Sequence, residues 1–296
     1  MTKSLQRVIS AVLLLILLTG LFSAGASADA DMRRVVVGAD LTDEQIESVY
    51  QVFGIRRGDV PEIRLTNLDE HAVLDGYVDA AIIGTRAMSC VYLELLSQGS
   101  GMNVKVQNIS WCTPDMYTSA FATAGITDAR IVVAAPFPVS GTAALAGIYK
   151  AYEDMTGQTL DAAAKDVSTQ ELTVTGELAN EIGSADSTSI VNDLKQMLNE
   201  TANMTDDELR ATIRRVASNY RVELTDAQVQ QLLDLCRSLE KLDPDALTKR
   251  VGDIQSTLEK VEEAKEQVVG FFETVKRIVD GIRDFIDRVS SLFGRR

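Results

Sequence analysis

The 296-residue chain contains little of the chemistry on which most enzymes and metalloproteins depend. It has one histidine, His71, and three cysteines, Cys90, Cys112 and Cys236. A histidine-assisted nucleophile would have to use His71, and a structural zinc site needs about four Cys or His ligands close together. No G-x-G-x-x-G motif and no Walker lysine occur, so the common phosphate-binding loops are missing too. We predict no catalytic residue, no cofactor and no metal site.

Basic residues are also few. The chain has 29 Lys and Arg against 43 Asp and Glu, which gives a formal net charge of -14 and a pI near 4.6. Nucleic-acid binding depends on cationic contacts to phosphates, so we expect no nucleic-acid partner. The hydrophobic content of 46% is too high for a disordered acidic chain. The composition therefore predicts a folded, acidic protein of one or two domains.

A single long apolar run occurs, and it lies at the N-terminus. Residues 8–22 are almost wholly apolar, follow Lys3 and Arg7, and precede Ala26-Ser27-Ala28. This pattern is typical of a secretory signal peptide, whereas a membrane-spanning helix needs roughly 17–25 apolar residues, which makes an uncleaved anchor the weaker alternative. We expect cleavage of residues 1–28, a secreted or envelope-associated protein, and no transmembrane segment in what remains.

Two of the cysteines flank a pattern that predicts a β-hairpin. The β-rich runs 86–96 and 104–111 are separated by the turn signal Gln98-Gly99-Ser100-Gly101. In such a hairpin Cys90 and Cys112 would lie opposite each other, at a spacing that a disulfide accepts. The pair is therefore a disulfide candidate, and the alternative is two small buried residues that never pair.

The pattern of elements changes about halfway along the chain. Before residue 157 short β-rich and helical runs alternate, whereas beyond it we find only helical patterns, with predicted capping boxes at Ser168-x-x-Glu171, Thr205-x-x-Glu208 and Thr225-x-x-Gln228. This predicts an α/β or α+β fold, with a mixed sheet and flanking helices followed by a helical region. The predicted boundaries are 1–28 for the signal peptide, 29–157 for the α/β domain, 158–243 for the helical region and 244–296 for a C-terminal amphipathic helix.

The C-terminal segment carries a regular apolar stripe. Three of every seven positions are apolar over four heptads, and residues 265–296 hold seven basic side chains against five acidic ones. The helix could pack on the rest of the protein, self-associate in a bundle, or attach to an anionic envelope surface. The stripe residues that would make these contacts are Phe271, Phe272, Ile278, Phe285, Ile286 and Phe293.

A candidate anion site lies where a buried strand leads into a helix. Ser140, Gly141 and Thr142 follow Pro136 and Pro138 and open a helical run. Backbone N–H groups at a helix start can donate hydrogen bonds to a carboxylate or a phosphate, and Gly141 would permit close approach. The alternative is an internal cap by Ser140.

Several sequence blocks occur together in one order between about Val35 and Leu239. They are Gly38-Ala39-Asp40-Leu41-Thr42, Thr66-Asn67 with Glu70-His71, Ile83-Gly84-Thr85-Arg86, Gly99-Ser100-Gly101 with Asn103-Val104, Asn108-Ile109-Ser110-Trp111, Ala134–Ala143 and Thr175-Gly176-Glu177-Leu178-Ala179. On these blocks the chain resembles the YpuA-like family, a domain family of unknown function from exported proteins of Gram-positive bacteria. The resemblance implies export and an α/β-plus-helical architecture, with no established catalytic residue or cofactor.

These blocks are the best places to seek a shared site, and they add Arg86 to the candidates of the helix start. Arg86 is expected to be a surface cation able to meet an acidic ligand, and the alternative is an internal ion pair. The function we expect is non-enzymatic binding or assembly in the envelope, with an unknown partner. The alternative is an envelope hydrolase or transferase near Ser140, which as a serine enzyme would need His71 and Asp69 nearby.

Overall fold

A computed structural model describes residues 32–254 and contains a five-stranded mixed sheet. The strands are β1 (Arg33–Gly38), β2 (Glu62–Leu65), β3 (Cys90–Leu95), β4 (Met102–Ile109) and β5 (Ala129–Val139). Their order is β2-β1-β3-β5-β4. The outer pairs β1–β2 and β4–β5 are parallel, while β3 is antiparallel to both of its neighbours. Four strands therefore point one way, and their carboxyl ends lie at one edge of the sheet.

The first helices flank the sheet, and the described chain after the last strand, β5, contains only helices. The first five are α1 (Asp43–Phe53), α2 (Asn67–Leu74), α3 (Ala80–Ile83), α4 (Pro114–Ala124) and α5 (Thr142–Thr156). The helical region contains α6 (Ala162–Ile182), α7 (Ser184–Gln196), α8 (Leu198–Thr201), α9 (Asp206–Asn219) and α10 (Asp226–Leu239), and residues 244–254 are also helical. The predicted fold class, a mixed sheet with flanking helices followed by a helical region, is confirmed.

Some predicted features lie outside the described residues. These are the signal peptide, 1–28, and the apolar stripe from Phe271 to Phe293. Within 32–254, no helix combines the length and the apolar character that crossing a membrane requires. One compact unit of the described chain runs to Val251 and a second begins at Gly252; all contacts given below lie in the first. The four predicted boundaries stay predictions.

Local hydrogen bonds explain where several helices begin. Thr42, Thr205 and Thr225 each accept the backbone N–H of the residue three positions on, whose side chain bonds back to the cap. The capping boxes predicted at Thr205 and Thr225 are therefore confirmed. The one predicted at Ser168 is wrong, because α6 begins at the cap Asp161 and carries Ser168 through its buried interior.

The predicted hairpin is also wrong, because β5 lies between β3 and β4. Residues 129–135 of β5 are almost entirely buried, so a central position between two neighbours buries more apolar surface than an edge would. Cys90 lies opposite Ala134 of β5, and Cys90 and Cys112 are both free thiols. The geometric argument for a disulfide between them therefore fails with the hairpin.

The sheet is covered on both faces. Val35 and Val37 belong to an apolar cluster that includes Ile46 and Tyr50 of α1. On the opposite face, Val36 lies against α5, where an added Cβ at Gly147 would come within 3.2 Å of its Cγ1. Alternate residues of a strand face opposite sides of the sheet. Both faces of β1 are therefore buried, which explains its uninterrupted run of valines.

Candidate functional site

A cavity of about 230 Å³ lies at the carboxyl edge of the sheet. It is lined by residues of the segment 83–89, which leads into β3, by residues of the segment 137–143, which joins β5 to α5, and by Glu70 of α2. Because β3 runs against the other strands, its start meets their ends. In open α/β sheets ligands bind outside the carboxyl ends of the strands, so the topology favours this edge as a site.

The start of α5 forms one wall of the cavity. Gly141 is the cap residue, with a φ of 98° in the left-handed region, and no side chain caps the helix. Ser140 Oγ instead lies 3.0 Å from Thr142 Oγ1. The alternative of an internal cap by Ser140 is therefore wrong. The first N–H groups of α5 are left to other acceptors and, with the helix dipole, favour an anion in front of them.

Gly141 is also required by close packing behind the cavity. Tyr117 Oη donates to the Gly141 carbonyl oxygen over 2.7 Å. A Cβ at Gly141 would lie 2.7 Å from that hydroxyl oxygen and 2.5 Å from Ile109 Cγ2. Tyr117 and Ile109 therefore hold the start of α5 in a position that only glycine permits.

Arg86 supplies the cation of the cavity. It is exposed, and within residues 32–254 it makes no ion pair or side-chain hydrogen bond, so the alternative of an internal ion pair is wrong. Its neighbour Ala87 is held in place, because the Ala87 N–H donates to Asp40 Oδ2 over 2.8 Å. A guanidinium can bind a carboxylate or phosphate through two parallel hydrogen bonds. Arg86 is thus placed, and chemically suited, to receive an anion.

Glu70 brings a carboxyl group into the same cavity. It is 1% exposed, its Oε1 accepts the Thr142 hydroxyl over 2.7 Å, and its Oε2 accepts the Asn67 amide over 3.3 Å. Desolvation raises the pKa of Glu70, against the hydrogen bonds from Thr142 and Asn67. Glu70 is absent from the site residues predicted from the sequence, although it belongs to one of the family blocks, because nothing in its local pattern shows that its carboxyl is buried.

Ser89 is a second cavity residue that the sequence did not indicate. It is 3% exposed, and its hydroxyl has no hydrogen-bond partner within the described chain. A buried hydroxyl without a partner is destabilising, so a polar ligand atom that reached it would remove that cost. At the rim, Phe137 keeps 37% of its surface exposed and adds an aromatic face.

The residues needed for a histidine-dependent serine enzyme do not come together. His71 Nδ1 lies 2.6 Å from Asp75 Oδ1, and this contact raises the pKa of the imidazole. Asp69 pairs with Lys150 at 3.3 Å, while Ser140 bonds to Thr142. No hydrogen bond joins any two of His71, Asp69 and Ser140 in the described part of the chain. Across 32–254 there is likewise no cluster of three His, Cys, Asp or Glu able to hold a metal ion.

Two of the cysteines lie beside the cavity but outside its lining: the Cys112 N–H donates to the Ser140 carbonyl oxygen over 3.2 Å, and Cys90 follows the lining residue Ser89. Cys90 and Cys112 are buried, and desolvation raises the pKa of each thiol to about 12. Neither lines the cavity, so they act as small buried residues here. Of the residues singled out from the sequence, Arg86, Ser140, Gly141 and Thr142 lie along one cavity.

Comparison with known proteins identifies the family. The model of a family described as a protein of unknown function (DUF1002) matches residues 37–277. "Uncharacterized protein YpuA" of Bacillus subtilis (strain 168) is 35% identical over 272 residues, which cover 90% of this chain and 88% of that protein. No solved structure matches the chain. The resemblance predicted from the sequence blocks is confirmed, and the chain belongs to this YpuA-like family of proteins of unknown function.

Proposed function

We propose that the protein is an exported, non-enzymatic binding protein of the cell envelope whose cavity takes a small anionic ligand. One observation carries the proposal: the guanidinium of Arg86, which has no ion-pair partner among residues 32–254, and the uncapped start of α5 line the same cavity. Both favour negative charge, one as a full cation and the other through its free N–H groups and dipole.

The size of the cavity limits the ligand. At roughly 30 Å³ for the share of one water molecule in the liquid, 230 Å³ corresponds to a ligand of roughly eight non-hydrogen atoms. A carboxylate or phosphate with a short apolar portion fits this limit. Ile83, Met88 and Phe137 supply the apolar lining that such a portion would contact.

Titration of small anions tests the binding proposal. We expect pentanoate and inorganic phosphate to shift the NMR signals of the Gly141, Thr142 and Ala143 amides. Arg86→Gln should weaken this binding by at least about tenfold, because a hydrogen bond to a charged group is worth roughly 1.5–3 kcal/mol. Arg56→Gln is the matched control, since Arg56 is 91% exposed in its side chain and lies outside the cavity lining. Absence of any shift, or equal losses in the two variants, contradicts the proposal.

Export and attachment are supported by the two ends of the sequence. The apolar run 8–22 with its A-x-A exit supports secretion, and the amphipathic stripe of residues 265–296 supports self-association or contact with an anionic surface.

Cell fractionation tests secretion, and recovery of a tagged chain in the cytoplasm alone would contradict it. Light scattering tests self-association, and sedimentation with anionic vesicles tests surface attachment, each on the chain with and without Gln267–Arg296. If truncation changes neither and only lowers thermal stability, the stripe is a packing surface.

The alternative of a hydrolase or transferase near Ser140 receives less support from the geometry. His71 is engaged by Asp75, and Ser140 bonds to Thr142 without a general base beside it among the described residues. We therefore propose Ser140 as part of the ligand wall and not as a nucleophile.

A further inference from the structure

The cavity holds two opposite charges that do not pair with each other. Arg86 and Glu70 both line it, yet within the residues described no ion pair joins Arg86 or Glu70 to any partner. Glu70 bonds only to the hydroxyl of Thr142 and the amide of Asn67, both of which are neutral. His71, the next residue, lowers the Glu70 pKa when charged but forms its own ion pair with Asp75.

An unpaired carboxyl is costly at this position. Glu70 is 1% exposed, and buried carboxylates are normally paired with a cation or else become protonated. Desolvation is the largest influence on the Glu70 pKa and raises it. A cationic group on a ligand could pair with the Glu70 carboxylate and offset the cost of its desolvation. An anionic group on the same ligand could pair with Arg86.

One residue connects the two charged ends of the cavity. Thr142 is the first residue of α5, so its backbone belongs to the uncapped helix start, while its hydroxyl donates to Glu70. The anion-accepting N–H groups and the buried carboxyl are thus neighbours within a single small cavity. The unpartnered hydroxyl of Ser89 adds a further polar group to the same lining.

We propose that the ligand is a small zwitterionic amino-carboxylate, with its carboxylate at Arg86 and the start of α5 and its ammonium group at Glu70. This rests on the proposed function, since it uses the same cavity, and it narrows the ligand from an anion to a molecule carrying both charges. A ligand of roughly eight non-hydrogen atoms, as the volume allows, has room for both groups on one short carbon chain.

A series of four matched ligands tests the proposal on the full-length chain. The probes are 2-aminopentanoate, 2-hydroxypentanoate, pentanoate and pentylamine, which share a five-carbon chain and differ in their charged groups. We expect 2-aminopentanoate to bind at least about tenfold more tightly than the other three, because it alone pairs with both charges. Calorimetry measures the affinities, and the NMR signals of the Gly141 and Ala143 amides show that binding occurs in this cavity.

Two variants separate the charged ends. Glu70→Gln keeps an acceptor for the Thr142 hydroxyl, and we expect it to reduce 2-aminopentanoate binding to the level of pentanoate while leaving pentanoate binding unreduced. Arg86→Gln should weaken all three carboxylates. Glu47→Gln, on the exposed face of α1, is the matched control and should change nothing.

The outcomes distinguish the zwitterion proposal from the proposed function, which is binding of a small anion. If pentanoate or 2-hydroxypentanoate binds as tightly as 2-aminopentanoate, the zwitterion proposal is overturned and the anion cavity stands. If neither a carboxylate nor inorganic phosphate binds, or if Arg86→Gln has no effect on this binding, the proposed function itself fails. The ligand series on the unmodified chain decides the matter even if Glu70→Gln does not fold.

Discussion

Gly141 shows how one residue can combine a backbone requirement with a packing requirement. Its φ of 98° is a conformation that side-chain-bearing residues rarely adopt. The space around its α-carbon is also filled, by Ile109 on one side and Tyr117 on the other. The uncapped helix start at the cavity therefore depends on the absence of a side chain at this position.

Gly141→Ala tests this dependence, with Gly157→Ala as its control. Gly157, at the other end of α5, is also left-handed, but no atom lies within 4 Å of an added Cβ. We expect Gly157→Ala to cost about 1 kcal/mol of unfolding free energy from backbone strain alone. Gly141→Ala should cost at least about 1–3 kcal/mol more, because the methyl group overpacks the site. Urea denaturation measures both, and equal losses would contradict the packing argument.

Glu70 and its neighbour Asp69 should give opposite pH dependences of stability. The folded-state pKa of Glu70 is raised above 4.5, so its contribution is fully present below pH 4.5 and is lost as the pH rises through the folded pKa. The pKa of Asp69 is lowered from 3.8, chiefly by the Thr66 N–H, so its contribution is present above 3.8 and lost as the pH falls through the folded pKa.

The corresponding variants test these signs in the ligand-free protein. Relative to the unmodified chain, Glu70→Gln should gain stability as the pH rises from about 4 to 7, because the variant no longer ionises a buried group. Asp69→Asn should lose relative stability in a more acidic range, as the pH rises from about 2 to 4, because the Asp69 contribution develops between its lowered folded-state pKa and 3.8. Urea denaturation at each pH gives the free energies, and a Glu70→Gln difference that is constant with pH would show that this carboxyl is not destabilised by burial.

Among the helices, the most unusual contact is an ion pair buried where α4, α6 and α7 meet. Lys195 Nζ lies 2.9 Å from Glu171 Oε1, with the two side chains 0% and 1% exposed. The ammonium also donates to the backbone oxygen of Ser119 over 2.9 Å and to its hydroxyl oxygen over 3.0 Å, which engages all three of its donors. The second Glu171 oxygen accepts from Thr123. These contacts attach α4, which follows the sheet strand β4, to the helical region.

Breaking this pair should be far more costly than breaking an accessible one. We expect Lys195→Met to cost about 3–5 kcal/mol of unfolding free energy, because it leaves the Glu171 charge buried and unpaired. Lys165–Glu153 is the matched control, since it has the same 2.9 Å separation with both side chains 28% exposed. Lys165→Met should cost about 1 kcal/mol or less.

The double variant Lys195→Met with Glu171→Met gives the coupling. Because the second substitution removes the uncompensated charge, the double variant should be more stable than Lys195→Met alone. Urea denaturation of the unmodified chain, the two single variants and the double variant measures the interaction energy between the two residues. Additive losses from the two substitutions would mean that the two charges do not stabilise each other.

For the whole molecule, the fold buries all three cysteines, and the strand order places Cys90 opposite Ala134. All three are buried and free, and desolvation raises each thiol pKa to about 12, which leaves little thiolate to react. We expect the native protein to resist a thiol reagent and the denatured protein, without reductant, to take up one label on each of Cys90, Cys112 and Cys236. Mass spectrometry counts the labels, and a single label with a mass lower by two hydrogens would reveal a disulfide.

The candidate site was only partly accessible from the sequence. Arg86 stands out because it belongs to the block Ile83-Gly84-Thr85-Arg86, and Ser140 to Thr142 stand out because they lie at a strand-to-helix junction. Glu70 and Ser89 do not, because their significance is burial, which depends on elements far away in the chain. The Glu171 motif was misread as a cap for the same reason, since its partners Lys195 and Ser119 lie on other helices.

The sequence by itself determined the fold class, the family and several helix starts, because a capping box is a set of hydrogen bonds between residues three positions apart. It also indicated that a buried strand leads into the helix that begins near Ser140. Only the tertiary structure decided that this strand separates β3 from β4, that Cys90 and Cys112 do not pair, and that Arg86, Glu70 and Thr142 share one cavity. Those outcomes depend on which elements, distant in the sequence, bury the most apolar area against one another. This buried area cannot be derived from any local stretch of residues.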